Sequence, residues 1–404
     1  MENDTAKLYI HVLSPVHVGG GQEKYWVNGV HYLYESNNKT VMVFDLEKLG
    51  SFLSEDEINQ YTNALESGKA KEFFDYLANT RHIPFSKFSK AYYMPYQPEG
   101  EIKTMIRTGL GEPYIPGSSI KGAIRSAIFS WAYHNDPRIK REIDRLNQSA
   151  DTRGLGNKMD ESLFGKIENN LMRFIQVTDA MFKDTVLFNT KVFNLFEDRR
   201  EREWYGGWKH AQQGPTNEDF KPQGFSSTFE TLEINDWATF RVKTNKTIWD
   251  LMGKYPETPR PSNGSLIMAG NPLEKLFGMI NFATRKYIQS EIEFFETFPA
   301  EKSDSIVDEL NEILATIPDD NKSCVLKMGA GTGFHAITGN WQFEDFTDTG
   351  FHEGGRFAGK KKYKSRKISF SRFETDEGTE NLFFPMGFVK IYSEEAWQEM
   401  LKEE

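Results

Sequence analysis

Residues 8–13 alternate between two side-chain faces, the period-two signature of a strand with one face buried. Residues 25–34 are centred on Asn28-Gly29, a strong hairpin signal, and predict two antiparallel strands around that turn. Residues 41–44 predict a further strand. Asp45 then stands where a helix cap is needed, and residues 55–78 carry the spacing of one or two more helices. Ile120, Ile124, Ala127, Ile128 and Trp131 recur at helical spacing, giving an amphipathic helix that runs to about His134. Residues 137–148 predict a polar helix, residues 172–177 a strand ending at Thr178-Asp179, and residues 186–196 another strand.

Residues 196–224 break the pattern. They are dense in charge and then rich in Trp, Gly, Pro and Gln, which predicts a protruding hairpin or mobile loop with Trp204, Tyr205 and Trp208 near its tip. Aromatics there either form an interaction surface or tuck back onto the body. Beyond it, residues 229–242 predict a hairpin around Asn235-Asp236, residues 272–295 a long helix and residues 303–315 another. Residues 324–328 predict a strand leading into a glycine loop, and residues 384–391 a late strand. Hairpin, helix and strand thus occur twice. The expected fold is α+β, with two ferredoxin-like units, residues 1–226 and 227–404, carrying helical and loop insertions.

Composition narrows the class. No apolar run approaches the ~18 residues of a membrane span, and residues 1–7 are polar, so a soluble cytoplasmic protein is expected. A single cysteine, Cys324, excludes a disulfide framework and a cysteine-rich zinc site. The net charge of −10 argues against coating nucleic acid with the whole surface. Yet residues 356–372 hold Arg356, Lys360, Lys361, Lys362, Lys364, Arg366, Lys367 and Arg372 with no acid among them. Without these eight, 41 Lys and Arg face 59 Asp and Glu, leaving −18 on the remainder. Such segregation either steers an anion to one place or marks a solvated loop.

The densest candidate chemistry lies at residues 113–125. A rigid Pro113-x-x-Pro116 lead-in ends in Gly117-Ser118-Ser119, where either serine can cap the following helix. Lys121 and Arg125 lie four apart, near the positive end of its dipole. Free N–H groups, hydroxyls and two cations there suit a phosphate, and the plainer reading is a capped core helix with two solvated cations. Gly19-Gly20-Gly21 and Gly329-Ala330-Gly331-Thr332-Gly333 are glycine loops at strand ends, able to admit a phosphodiester chain or simply to turn tightly. The second is a poor dinucleotide fingerprint, because Gly339-Asn340-Trp341 soon ends any helix. His17 is either a general base for RNA cleavage or a packed side chain, and Asp179 either a catalytic carboxylate or a cap. No histidine pair has metal-ligand spacing, so no metal or other cofactor is expected. Together with Lys360, Lys361 and Lys362, these features describe a groove for an RNA backbone.

The run Tyr114-Ile115-Pro116-Gly117-Ser118-Ser119-Ile120-Lys121-Gly122-Ala123-Ile124-Arg125 resembles the signature of the CRISPR-associated RAMP superfamily. So do Leu13-Ser14-Pro15-Val16-His17-Val18-Gly19-Gly20-Gly21, the loop at 329–334 and Pro385-Met386-Gly387-Phe388-Val389-Lys390. Their order and spacing look most like the fifth-subunit family of type III-A (Csm) effector complexes. Residues 196–224 and 342–367 match no such pattern. The resemblance implies a two-lobed, non-catalytic protein that caps the crRNA 3′ end, next to the backbone RAMP subunit and near the small subunit. It also implies proximity to target RNA and a part in crRNA maturation through host nucleases. Gly117, Ser118, Ser119, Lys121 and Arg125 would touch the crRNA backbone, and Gly329, Gly331 and Gly333 would form the glycine-rich loop. Two other classes stand against this: a metal-independent RAMP endoribonuclease using His17, and a nucleotide-dependent enzyme using a glycine loop. The latter lacks a Gly-Lys-Ser/Thr ending.

Overall fold

The structure, a computed structural model, describes residues 5–20, 25–147, 155–197, 200, 203–210, 219–255, 263–333, 336, 348–353, 359–362, 365–375 and 378–403. The chain opens with β1 (Thr5–Val12), β2 (Tyr25–Trp26), β3 (Tyr32–Glu35) and β4 (Thr40–Phe44). Helices α1 (Leu46–Phe52), α2 (Glu55–Glu66) and α3 (Ala70–Asn79) lead to β5 (Ser89–Tyr93), β6 (Ile102–Lys103) and β7 (Tyr114–Ile115). Next come α4 (Gly117–Asn135), α5 (Pro137–Asn147) and α6 (Leu155–Phe164), then β8 (Gln176–Val177), β9 (Ala180–Met181), β10 (Thr185–Glu197) and β11 (Trp204–Trp208). Strands β12 (Ser227–Leu232) and β13 (Trp237–Lys243) precede α7 (Lys246–Lys254), α8 (Ser265–Met268), α9 (Pro272–Thr297) and α10 (Ser303–Ala315). The chain closes with β14 (Ser323–Lys327), β15 (Asp348–Glu353), β16 (Gly359–Lys362), β17 (Ser365–Thr375), β18 (Gly378–Pro385), β19 (Phe388–Ser393) and α11 (Glu394–Glu403).

The mixed α+β expectation holds, and the helices carry the capping chemistry their sequences announce. Asp45 accepts the Lys48 N–H at the start of α1. Asn271 caps α9 with Pro272 at its first turn. The expected hairpins are different. Gly29 does turn the chain at φ 81°, but β2 pairs with β6, while β3 pairs with β4. Asn235 turns at φ 71°, yet β12 joins β10 and β13 joins β1, in separate sheets. The late strand splits at Met386-Gly387 into β18 and β19, again in separate sheets. Residues 171–174 form a 3-10 turn, leaving only β8 of the strand expected at 172–177.

One sheet has the order β14-β19-β1-β13-β8, and the other runs β18-β17-β10-β12-β6-β2 with β11 attached to β10. The expected division at 226/227 does not follow this pairing. The first sheet takes β1 and β8 from before it and β13, β14 and β19 from after it. Alternation is cleanest in β13, where Ala238, Phe240 and Val242 are buried and their neighbours exposed. Those residues, with Leu8, Ile10 and Val12, meet Ile120, Ile124 and Ile128 of α4 and Leu276 and Ile280 of α9 in one core. Further along α9, Ile288, Phe294 and Phe295 join Phe193, Phe370 and Phe383 of the second sheet in another. At about 1.5 Å per residue, the 26-residue α9 is long enough to serve both cores. Helices α1–α3 and strands β3–β5 close over a separate phenylalanine cluster of Phe44, Phe73, Phe74 and Phe88.

Trp208 is not at a loop tip. It is buried in the second core, donates its indole N–H to Glu301 O at 2.7 Å and meets Phe193 edge-on. The charged run at 198–199 and 201–202, and residues 211–218, lie outside the described residues, as do Gly21, Phe334, His335 and residues 339–341.

Candidate nucleic-acid interface

Helix α4 begins directly after Pro116, which is its N-cap, and neither Ser118 nor Ser119 caps it. The N–H of Gly117 instead donates to Asp179 Oδ1 at 2.7 Å, so Asp179 is the cap expected as its plainer role. Gly117 is buried, and a Cβ there would overlap the Val177 carbonyl. The Thr178 hydroxyl accepts the Arg241 N–H at 2.9 Å, which fixes the segment that carries Asp179. Ser118 is exposed, and Ser119 and Lys121 are half-buried. Partial burial lowers the Lys121 pKa. Arg125 is not a free cation: it pairs with Asp160 and lies over the Phe164 ring at 5.4 Å, tying α4 to α6.

The two glycine loops, more than 300 positions apart in sequence, are neighbours. Ala330 N–H donates to His17 O at 2.8 Å, and Gly387 N–H to Pro15 O at 2.9 Å. Met328 N–H donates to Gly387 O at 2.7 Å, so the loops at 15–20, 328–333 and 386–387 form one assembly. Gly329 and Gly331 adopt φ values of 74° and 79°. A Cβ on Gly329 would stand 2.6 Å from His17 O, and one on Gly331 2.8 Å from the Met386 Cβ. Their smallness therefore lets the chain approach itself. Gly333 has φ 63°. A Cβ on Gly19 would lie 3.0 Å from His17 Nε2, and one on Gly20 3.0 Å from Ile106 Cδ1. Ile106 N–H donates to Val18 O and Tyr114 N–H to Ile106 O, a backbone path from the first loop to the segment entering α4.

His17 is packed. Its Nδ1 donates to Glu230 O at 2.7 Å, its ring meets Phe229 edge-on, and burial pushes its pKa down to about 4. Beneath it lies a cation pair that sequence reasoning missed. Lys103 and Lys367 each place Nζ 4.6 Å from the Phe229 centroid. Burial, then the charge of Lys103, brings the Lys367 pKa down to about 8. The basic segment does not act as a unit. Arg366 is buried and donates its Nε–H to Glu291 at 2.9 Å, while Lys360, Lys361 and Lys362 contribute backbone to β16 and their side chains lie outside the described residues. Lys327 is half-buried; it donates to Met386 O, sits 4.3 Å from the Phe388 centroid, and desolvation brings its pKa down to about 7.

The motifs quoted from the sequence are thus gathered around one loop assembly, and the sequence matches the RAMP superfamily over residues 9–379. The chain belongs to the RAMP superfamily. Its backbone resembles a chain in the cryo-EM structure of a Csm-crRNA-target RNA ternary complex in a type III-A CRISPR-Cas system. That likeness has a TM-score of 0.60 at 17% identity and covers 96% of this chain and all of the other. The crystal structure of T. onnurineus Csm5 gives 0.56 at 17% identity, covering 81% and 90%. A Streptococcus thermophilus protein described as "CRISPR system Cms protein Csm5" is 31% identical over an alignment of 148 residues, with 32% of this RAMP chain covered. The match spans 40% of that relative's length.

Within this RAMP chain, Lys103 gave no signal in sequence because it stands alone on a two-residue strand. Lys367 was visible only as one member of a basic run. Among the described residues no group of three or more His, Cys, Asp or Glu is placed to hold a metal, and no helix is long and apolar enough to cross a membrane.

Proposed function

We propose that this RAMP chain is a non-catalytic RNA-binding subunit of a type III-A CRISPR effector complex. It holds the 3′ region of crRNA and caps the filament of backbone RAMP subunits, near the small subunit and target RNA, and aids crRNA maturation with host nucleases. The observation that carries the reading is the convergence of the loops at 15–20, 328–333 and 386–387 beside the start of α4. The likeness of the whole chain to a component of a Csm-crRNA-target RNA complex supports it. On this reading β1, α4, β8, β13, α9 and β19 make a ferredoxin-like unit with β14 added at its edge. The two lobes are the two sheets, joined by α9, rather than successive halves of the sequence. Ser118, Ser119 and Lys121 face the RNA backbone together with Gly19, Gly20, Gly329, Gly331 and Gly333. Gly117 and Arg125 hold α4 in place, and Lys360, Lys361 and Lys362 are further contacts for the RNA backbone. With burial holding its pKa at about 4, the packed His17 takes up a proton too weakly to serve as a general base at pH 7, so cleavage is not assigned to it.

Titrating the purified protein with a fluorescein-labelled single-stranded RNA tests the reading. Affinity should fall steeply with salt, and the Ser118→Glu, Lys121→Glu double variant should bind at least tenfold more weakly. Incubation in EDTA with labelled repeat RNA should leave the RNA intact. A protein that binds no RNA and fails to co-purify with the other Csm subunits and crRNA would overturn it.

A further inference from the structure

The two lysines on Phe229 are an arrangement that costs stability as it stands. Lys103 (β6) and Phe229 (β12) are register partners, and Lys367 reaches the same ring from β17, across β10. Two ammonium groups share one ring, and His17 closes its edge at 4.9 Å. Among the described residues neither lysine has a carboxylate partner. Glu101, two residues before Lys103, is exposed and makes no ion pair with it, and Glu230, next to Phe229, belongs to the opposite face of its strand and is consumed by Arg107, Thr185 and the Met105 N–H. Like charges crowded in a half-buried place repel each other and resist burial, and the lowered Lys367 pKa reflects both effects. An anion would satisfy the two ammonium groups, and they stand beside the first glycine loop: Met105, two residues after Lys103, accepts the Val18 N–H on its sulfur at 3.2 Å.

We infer that Lys103 and Lys367, gathered on Phe229, form a seat for one phosphodiester group of a bound RNA strand as it passes the Val18–Gly20 loop. The inference rests on the RNA-binding reading and adds a specific subsite to it. The seat contacts backbone, so it fixes the strand's register and reads no base.

The test is an RNA titration of wild type, Lys103→Gln, Lys367→Gln, the double variant and the two Lys→Arg variants, with melting temperatures measured alongside. Each Gln variant should weaken RNA binding about tenfold and reduce the slope of log affinity against log salt by about one, whereas each Arg variant retains binding. A double Gln variant that melts like wild type and binds RNA with unchanged affinity and slope overturns the seat while leaving the RNA-binding reading intact. A wild type that binds no RNA overturns both. Inorganic phosphate is the third arm: if millimolar phosphate raises the melting temperature of wild type but not of the double variant, while both bind RNA equally well, the seat takes free phosphate and the phosphodiester assignment falls.

Discussion

Asp179 accepts the backbone N–H of Gly117 at 2.7 Å, so the anion at the start of α4 is one of the chain's own carboxylates. The helix dipole and the orphan N–H predicted there are real, and the protein satisfies part of them internally. On the proposed RNA-binding reading, ligand contact falls to the exposed Ser118 and to the half-buried Ser119 and Lys121.

Replacing Asp179 by Ala should therefore lower stability by about 1 kcal/mol, with Asn recovering most of it as a neutral cap. Urea unfolding measures the difference. An Asp179→Ala protein as stable as wild type would show that the carboxylate does not cap α4.

Asn281 closes the free edge of β14. Its Oδ1 accepts the Val325 N–H at 3.1 Å and its Nδ2 donates to Ser323 O at 3.0 Å, while Thr284 donates to Val325 O at 2.6 Å. Asn281→Leu should cost about 1–3 kcal/mol for each backbone group left unpaired. It should also speed hydrogen exchange at Val325, which is the sharper readout.

Glu291 and Arg366 pair inside the second core, with the guanidinium carbon 3.8 Å from the Phe294 centroid. Arg366→Met alone strands a buried carboxylate and should cost about 3–5 kcal/mol. The double variant Glu291→Leu, Arg366→Met should be far less damaged. A double variant worse than Arg366→Met would refute this account.

Glu309 on α10 is half-buried beside Glu312 and Asp308, and burial first, then those charges, raises its pKa to about 7. A carboxyl with a raised folded-state pKa costs stability once the unfolded chain can ionise. The loss begins near pH 4.5 and is complete above about pH 7. Glu309→Gln should match wild type below pH 4.5 and exceed it by about 1–2 kcal/mol at pH 8, allowing for screening of a half-exposed group. Melting curves at pH 4 and pH 8 decide it.

Local chemistry was legible wherever a few neighbouring residues determine the outcome. Asn271-Pro272 started α9, Asp45 capped α1, and the 3.6-residue apolar spacing from Ile120 marked the buried face of α4. The turns at Gly29 and Asn235 were equally readable, because positive φ is a property of the residue itself. The recurring motifs around 15–20, 117–125, 328–333 and 386–387 also carried the family.

What those turns connect was decided elsewhere. A hairpin forms only if both strands bury their apolar faces against the same partners, and here distant strands supplied those partners. Trp237 lies opposite His11 and Phe229 opposite Phe188, so the two flanks of Asn235 part into different sheets. The same non-local packing took Arg366 out of a basic run and into an ion pair. It carried Lys103 and Lys367, 264 positions apart, to one ring. The sequence by itself determined helices, turns, family and the local caps at Asp45 and Asn271, all set by short-range sterics and hydrogen bonding, whereas the carboxylate at the start of α4 came from 62 positions away. Strand partners, and which cations meet, followed from burying two cores at once, a condition that no local stretch of sequence contains.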